Sequence, residues 1–543
     1  MTAFLRRYPL PVLLCVSAVM LVSHLGMIQT NIMEARNLIT AREMVKDGHW
    51  IFTTIDGMPR YEKPPLPTWL TAVSGYFCDF KNMFVLRLPV ALVSLMCVYF
   101  FYTLMKKFQL KNNQPLHASL ILITSFYIFF AGRDNQWDMY THAFMVACIY
   151  FLVCALSETK NTSTNVLLSA FFLGCSFLSK GPVSLYGLFL SFLISYFITY
   201  RKYNAGNIKL LLFVLVVGLV IGLSWPLYVK YFDSNASAAL SKQTENWEDY
   251  DVKPFWYYWS FFTQSGIWTV PSFIALMYFY MRRRVTDVKA YTFSFCWTIT
   301  SLLLLSFIPE KKARYTLPIL IPLAMNTSFY IQYLIDHFKE IKSNIEKGIV
   351  YFGFGLIALI AFAIPIVVLF LFKSKIDEHI LWFTVLAMVS FSCAFFTTRG
   401  IIRKEFSQTF FAMVFLMAGV VLTAVPLSKM YYSNTDYYSA ANLHEFEKTF
   451  NITTYEGDEY APEIIWDYGD KMQNISSDSS IVMPADSAFG LLVYAQKAVK
   501  LQQQFTNYRF TKYAVVDLNA VSKVSKGYNH RLVKDYYIVA KAM

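Results

Sequence analysis

The chain has 543 residues, of which 56% are hydrophobic, 18% aromatic and only 15% charged, whereas soluble globular proteins carry about 45–50% apolar and about 25% charged residues. This excludes a disordered chain, a coiled coil and an ordinary cytosolic enzyme. The excess of 48 Lys and Arg over 35 Asp and Glu, a net charge of +13, fits the loops of a membrane protein and not a nucleic-acid surface.

A membrane-crossing helix needs about 20 consecutive apolar residues. About thirteen stretches qualify, at 10–29, 83–105, 116–132, 138–156, 164–179, 182–200, 208–229, 256–281, 289–308, 316–335, 348–372, 379–397 and 407–427. The first follows Arg6 and Arg7 but is long and lacks a small-x-small cleavage site, so it reads as a retained anchor. Residues 30–82 then form a long outer loop. In it Ile32, Ala35, Leu38, Ile39, Met44 and Val45 share one helical face, with Glu43, Lys46 and Asp47 mostly opposite, which predicts a helix lying along the membrane surface. A second short helix is predicted at 66–78.

Basic loops alternate along the rest of the chain. Lys106, Lys107 and Lys111, then Lys160, then Arg201, Lys202 and Lys209, then Arg282, Arg283, Arg284 and Lys289, then Lys339, Lys342 and Lys347, then Arg399, Arg403 and Lys404 fall on the same side as Arg6 and Arg7. The positive-inside rule puts that side in the cytoplasm. An odd number of spans puts the tail outside. The predicted domains are therefore a membrane domain at 1–427 and an outer soluble domain at 428–543. The tail reads as a small α/β fold with a strand at Ser480–Met483, a helix at Ala488–Val499 and strands at Tyr513–Asp517 and Tyr536–Ala540. Seven of the eight Cys lie within apolar runs and none forms a CxxC pair, so they read as packing residues.

Outer basic residues run against the orientation rule and invite a second explanation. Arg60-Tyr61-Glu62-Lys63-Pro64-Pro65-Leu66-Pro67 is stiffened by its prolines, which would hold Glu62 and Lys63 just above the bilayer; snorkelling beside an interfacial helix is the alternative. Gly132 to Asp138 is a tight polar turn in which Arg133 and Asp134 suit either a substrate or a structural ion pair. Lys180 stands alone between two spans. Pro309-Glu310-Lys311-Lys312-Ala313-Arg314-Tyr315 puts three cations in one loop, where a phosphate would repay their placement through an Arg fork and Lys point charges; lipid head groups are the alternative. Glu34, just after the first span, is the acid positioned for general-base chemistry if burial raises its pKa.

These residues also carry a resemblance. Glu34-Ala35-Arg36, Ala41-Arg42-Glu43-Met44, Gly48-x-Trp50, Asp56-Gly57-x-Pro59 and Glu62-Lys63-Pro64-Pro65-Leu66-Pro67-x-Trp69 resemble the first periplasmic loop of the aminoarabinose transferase branch of the protein mannosyltransferase-like (GT-C) glycosyltransferases. Ser179-Lys180-Gly181-Pro182, Pro254-Phe255-Trp256-Tyr257-Tyr258 and Tyr315-x-x-Pro318 follow in the same order.

The resemblance implies an α-helical integral membrane protein of GT-C type with about 13 transmembrane helices. It would be a monomer in the bacterial inner membrane, N-terminus cytoplasmic and C-terminal domain periplasmic. It would move a sugar from a polyprenyl-phosphate donor to lipid A, another glycolipid or a protein. In the family the first loop carries an Asp-Glu pair; here the Asp position is Met33, which leaves Glu34 as the catalytic carboxylate, with Asp138 as the second. Lys63, Lys312, Arg314 and Tyr315 are expected on the donor phosphate, and Arg36, Arg133 and Lys180 on the substrate side. A His and an Arg that the family places shortly before the Pro-Phe-Trp-Tyr-Tyr motif have no counterpart in Ser241 to Lys253. No cofactor is therefore required, and Glu62 is retained as the candidate ligand of a divalent metal. Rival readings are a protein O-glycosyltransferase of the same fold, a lipid transporter or flippase, and a noncatalytic binder of polyprenyl phosphate. Spans nearly free of ionisable residues away from their ends argue against transport.

Overall fold

The computed structural model describes residues 5, 7–157, 161–200, 205–234, 236–237, 251–458, 460–477 and 480–542. Arg6, Lys160, Arg201, Lys202 and the segment 241–250, all used above, lie outside the described residues. The chain divides into two compact units, one of Met1–Met27, Tyr61–Leu70 and Lys81–Leu427, the other of Ile28–Arg60, Thr71–Phe80 and Ser428–Met543.

In chain order the helices are α1 (Pro9–Val22), α2 (Ile32–Lys46), α3 (Leu66–Cys78), α4 (Met83–Lys107), α5 (Gln114–Ile123), α6 (Phe126–Ala131), α7 (Trp137–Ser157), α8 (Thr162–Lys180), α9 (Ser191–Tyr200), α10 (Ala205–Phe232), α11 (Thr269–Ala275), α12 (Tyr278–Met281), α13 (Val288–Phe307), α14 (Leu317–His337), α15 (Asn344–Phe372), α16 (Ile380–Ile402), α17 (Phe406–Ser428), α18 (Leu443–Phe450), α19 (Pro462–Tyr468) and α20 (Ala495–Gln504). Ten helices among the described residues are long and apolar enough to cross a membrane, so the protein is an integral membrane protein.

Those ten account for all but three of the predicted stretches. The third stretch is α5 and α6, interrupted where the hydroxyls of Thr124 and Ser125 bond back to the carbonyls of Leu120 (2.6 Å) and Ile121 (2.7 Å). The sixth opens with a widened turn at Leu185–Leu190 before α9. The eighth breaks into 3₁₀ turns at Phe255–Tyr258 and Phe261–Trp268, with Gly266 at φ +67°, before α11 and α12. Hydropathy measures how apolar a stretch is and is blind to such breaks.

Within the membrane unit α7 and α14 are the most enclosed spans, while α10, α15 and α16 are the most exposed. A bilayer offers no hydrophobic gain for helix association, so close backbone approach carries more of the packing. Between α8 and α10 this approach is made by Gly174 and Gly218. A Cβ at Gly174 would collide with Ile221 Cγ2, and one at Gly218 with Leu173 Cδ2.

The second unit is built on a four-stranded sheet of order β3-β6-β8-β7, with β3 (Thr454–Glu456), β6 (Ala488–Val493), β7 (Tyr508–Asp517) and β8 (Val533–Lys541). β3 and β6 are parallel and the other pairings antiparallel. Two short hairpins, β1 (Thr54–Ile55) with β2 (Met58–Pro59) and β4 (Ser476–Ser477) with β5 (Ser480–Ile481), complete it. The expected helix at 488–499 is corrected: residues 488–493 are a strand and the helix begins at Ala495. The run Phe489-Gly490-Leu491-Leu492-Val493 is apolar on both faces because both are buried, and such a run has no period that separates strand from helix.

The polar face of α2 does not point to solvent as its period alone suggests. Glu34, Arg42 and Glu43 are all buried, and α2 packs on α19. The Arg42 guanidinium donates to the Asp470 carbonyl (3.1 Å) and lies on those of Trp466 and of Ile465, which also accepts the Gly469 cap amide, at the end of α19 where the last carbonyls run out of helical donors. Glu43 accepts from Thr54 Oγ1 and from the amides of Asp56 (2.6 Å) and Gly57 (3.3 Å), fixing the β1–β2 turn.

Candidate active site

The polar turn at 132–137 is tied into the membrane unit before it reaches α7. Arg133 donates to the carbonyls of Met20 (2.9 Å) and Ser23 (2.5 Å), Asn135 donates to the Leu86 carbonyl at 2.7 Å, and the Tyr140 hydroxyl donates to Asn135 Oδ1 at 2.9 Å. Arg133 is thus engaged by main chain at the end of α1, and Asp134 accepts from Gln136 instead of pairing with it. This turn fixes where Asp138 emerges, in the first turn of α7.

At the end of α8, Gly181 adopts φ +73° and donates its amide to the Phe177 carbonyl at 2.8 Å. That positive φ, which glycine adopts without a Cβ clash, followed by Pro182, stops the helix at Lys180. Lys180 is therefore not a lone lysine: its ammonium is paired with Asp138, both side chains nearly buried (6% and 11% exposed). His142, one turn along α7 from Asp138, shares a hydrogen bond with Ser184 at 3.1 Å.

The loop before α14 completes the arrangement. A bridge between Val252 and Glu310 aligns it with the segment 251–253. Buried Lys311 donates to the carbonyls of Ile308 (2.6 Å) and Lys253 (3.2 Å), and burial pushes its amine below the usual lysine range. Glu310 accepts from Lys312 Nζ at 2.6 Å and from the Tyr315 hydroxyl at 3.1 Å. The Tyr315 ring has three cations near it, with Lys180 Nζ 4.9 Å, Lys312 Nζ 5.9 Å and Arg314 Cζ 5.8 Å from its centre, within cation–π reach. Asp138 and Glu310 answer Lys180 and Lys312. The Arg314 Nε is buried and has no hydrogen-bond partner among the described residues.

Lys63 is held near the same helix end by its neighbour. Tyr61 is buried in one apolar cluster with Leu178 of α8 and with Trp225 and Val229 of α10. Its hydroxyl donates to Asp233, and burial together with that carboxylate raises its pKa. Lys63 is half-buried and Glu62 exposed. The structure thus brings together Asp138, Lys180, Lys312, Arg314 and Tyr315, with the Lys63 segment anchored beside the end of α8.

In the second unit Glu34 lies in the first turn of α2, only 1% exposed. Its amide and that of Met33 are capped by Asn31 Oδ1 at 3.1 and 3.0 Å, so the carboxylate stands at the positive end of the helix. Half-buried Arg36 places Nη1 4.0 Å from Met33 Sδ.

Among the described residues the acid and histidine side chains clustered closely enough to share an ion are Glu43, Asp47 and His49. Their atoms already hold Thr54, the 56–57 amides and Lys471. Among the described residues Glu62 is not part of that group.

Sequence reasoning named the cations but not Glu310, the acid that orders Lys312 and Tyr315. The signal was its own loop: a single carboxylate next to three cations has somewhere to go.

The family model for dolichyl-phosphate-mannose-protein mannosyltransferase matches residues 62–225. The chain is 22% identical over 339 residues to undecaprenyl phosphate-alpha-4-amino-4-deoxy-L-arabinose arabinosyl transferase 1 of Proteus mirabilis, covering 60% of each chain. It is 24% identical over 352 residues to the corresponding transferase of Pseudomonas savastanoi, covering 60% of this chain and 62% of that one. The chain thus matches about three fifths of the length of these relatives. In fold it is similar to the crystal structure of ArnT from Cupriavidus metallidurans bound to undecaprenyl phosphate, with a TM-score of 0.68 at 14% identity, covering 99% of this chain and 98% of that one. The apo structure of the same protein gives 0.66 at 16% identity, covering 98% and 97%. The resemblance to the aminoarabinose transferase branch of the GT-C superfamily therefore holds in sequence and in fold.

Proposed function

We propose that this protein is a glycosyltransferase that takes a sugar from a polyprenyl-phosphate donor and transfers it to lipid A or a related glycolipid. The observation that carries the proposal is the group of three cations around Tyr315, answered by two carboxylates and with the Arg314 Nε unpartnered among the described residues. An added anion balances it. The names of the related transferases, which specify undecaprenyl phosphate, supply the class of anion.

In this reading the bond between the anomeric carbon and the phosphate oxygen breaks, and the phosphate leaves with the electron pair. Lys63, Lys312, Arg314 and the Tyr315 hydroxyl stabilise the charge that develops there, and fixed charges of this kind supply most of the acceleration in many enzymes. The new bond forms to an acceptor oxygen, whose proton passes to Glu34. Arg36 lies two residues further along α2 and serves the acceptor side. Asp138 acts through Lys180, keeping its ammonium charged and aimed at the Tyr315 ring. Arg133 contributes by fixing the turn before α7. An acceptor that is itself a phosphate needs little base strength, which suits a site with Met33 where the family has Asp.

The protein would sit in the bacterial inner membrane with its N-terminus cytoplasmic and residues 428–543 periplasmic, as the alternation of basic loops requires. The test is purified protein with a labelled polyprenyl-phosphate sugar, scored for loss of sugar from the lipid with each acceptor in turn. Transfer to lipid A supports the assignment and transfer to a polypeptide redirects it to protein glycosylation. Binding without transfer to any acceptor leaves a noncatalytic binder.

A further inference from the structure

The geometry points to a second lipid site, for an anionic diacyl phospholipid, in the groove between α15 and α16. The groove is a cavity of about 820 Å³ with an almost wholly apolar lining, inside the roughly 300–1,000 Å³ range of small-molecule sites. On α15 its wall runs from Tyr351 through Gly355 to Phe362, and on α16 from Phe391 through Phe395 to Ile402. Each wall is one helical stripe with steps of three and four residues. From Tyr351 to Phe362 the α15 wall rises eleven steps, about 16 Å at 1.5 Å per residue, most of the length of an acyl chain. Phe362, Phe395 and Ile402 are 52%, 58% and 73% exposed, so the groove opens toward lipid. At Gly355 the opening reaches the backbone, since a Cβ there would meet no atom within 4 Å.

Charge selects the occupant. Lys347 lies one turn before Tyr351 on the same stripe, Arg399 one turn after Phe395, and Arg403 caps α16 next to Ile402. All three stand at the same end of the groove. Among the described residues no carboxylate pairs with any of them, and the nearby Glu346 is taken by Arg284. Apolar walls closed at one end by unpaired cations match a lipid with two chains and a phosphate head group, and basic pockets between membrane helices bind such head groups. A zwitterionic lipid would fill the walls and leave the cations unanswered.

The site is separate from the proposed donor site. The cations around Tyr315 precede α14, while Lys347 and Arg399 lie beyond its other end. The 21 residues of α14 put about 31 Å between the two levels.

The experiment uses the full-length protein in neutral detergent. Thermal unfolding and native mass spectrometry are run with phosphatidylcholine, phosphatidylglycerol, cardiolipin and undecaprenyl phosphate. The anionic phospholipids should raise the unfolding temperature by several degrees and stay bound, and phosphatidylcholine should do neither. Replacing Lys347, Arg399 and Arg403 together by Gln should weaken retention at least tenfold. Gly355→Leu, which puts a side chain into the groove at a position where a Cβ meets no atom within 4 Å, should do the same and keeps the test open if the triple variant misfolds. Equal stabilisation by phosphatidylcholine, or retention unchanged in Gly355→Leu, overturns the proposal. Displacement of the phospholipid by undecaprenyl phosphate in a way these variants abolish would also overturn it, by making the groove a prenyl site.

Discussion

Lys180 is ion-paired with Asp138 across the interface of α8 and α7, with both side chains almost fully enclosed. Breaking a buried pair leaves one charge uncompensated, which costs about 3–5 kcal/mol, whereas replacing both partners by apolar groups is often nearly neutral. Asp138→Asn should therefore lower stability by about that amount. Asp138→Leu combined with Lys180→Met, which replaces both partners by apolar groups, should restore most of it and still fail to turn over donor. Denaturant unfolding beside a donor-hydrolysis assay checks both. A single variant as stable as the parent would show that the pair is not what holds these helix ends together.

Glu34→Gln preserves shape and the amide cap at Asn31 while removing the charge. Loss of a positioned acid or base typically costs about 10²–10⁴-fold in rate, so turnover should fall by at least the lower figure with donor affinity unchanged. Met33 makes this the sharpest test of the site, because moving an acid by one residue on a helix turns it by about 100° at 3.6 residues per turn. Near-normal turnover would remove Glu34 from the mechanism.

Arg314→Ala and Lys63→Ala should each weaken binding of polyprenyl phosphate by about tenfold or more, since charge-assisted hydrogen bonds are worth roughly 1.5–3 kcal/mol. Arg314→Ala should lower the unfolding temperature less than Asp138→Asn does, because it gives up a contact with the Tyr315 ring and no hydrogen bond at Nε among the described residues. Equilibrium binding and thermal unfolding on the same preparations separate the two effects. Unfolding with donor affinity retained would make these residues structural.

The membrane spans were legible because their signal is additive: about twenty apolar residues report themselves whatever lies around them. The helices at Ile32–Lys46 and Leu66–Cys78 were legible for a similar local reason. What the sequence hid was pairing. Asp138 and Lys180 are 42 residues apart, and each read as a weak feature alone. Glu43 read as a solvent-facing acid on α2 because helical period says which residues share a face, not what covers it. The strand at Ala488–Val493 was hidden by being buried on both sides.

The second unit carries a pH response in Asp56. Burial raises its carboxyl from 3.8 to about 6, against the opposing hydrogen bond it accepts from the Met472 amide at 2.7 Å. With the folded pKa above the unfolded one, the folded unit holds more protons between those values, so this contribution to stability falls as pH rises through that window. Asp56→Asn keeps an acceptor for Met472 and carries no charge. It should be more stable than the parent above about pH 6 and show a flatter profile between about pH 4 and 6, measured by thermal unfolding across buffers.

Orientation is testable with single cysteines placed in a chain whose own cysteines are replaced. Val524→Cys, at a position 95% exposed, should react with a membrane-impermeant reagent added outside intact spheroplasts, and Arg283→Cys should not. Labelling of both from one side would rule out a cytoplasmic 282–284 loop opposite a periplasmic tail.

Arg42 and the α19 carbonyls it holds are more than 420 residues apart in the chain, and Asp56 waits on Met472 across 416. A ribosome working at about 5–20 residues per second exposes α2 tens of seconds before α19 exists. During that interval a guanidinium and two carboxylates destined for burial have only water or lipid head groups to answer them. The segment that carries α2 is thus completed last although it is made almost first, and a chain stopped after α17 keeps its spans while that segment lacks the α19 it folds against.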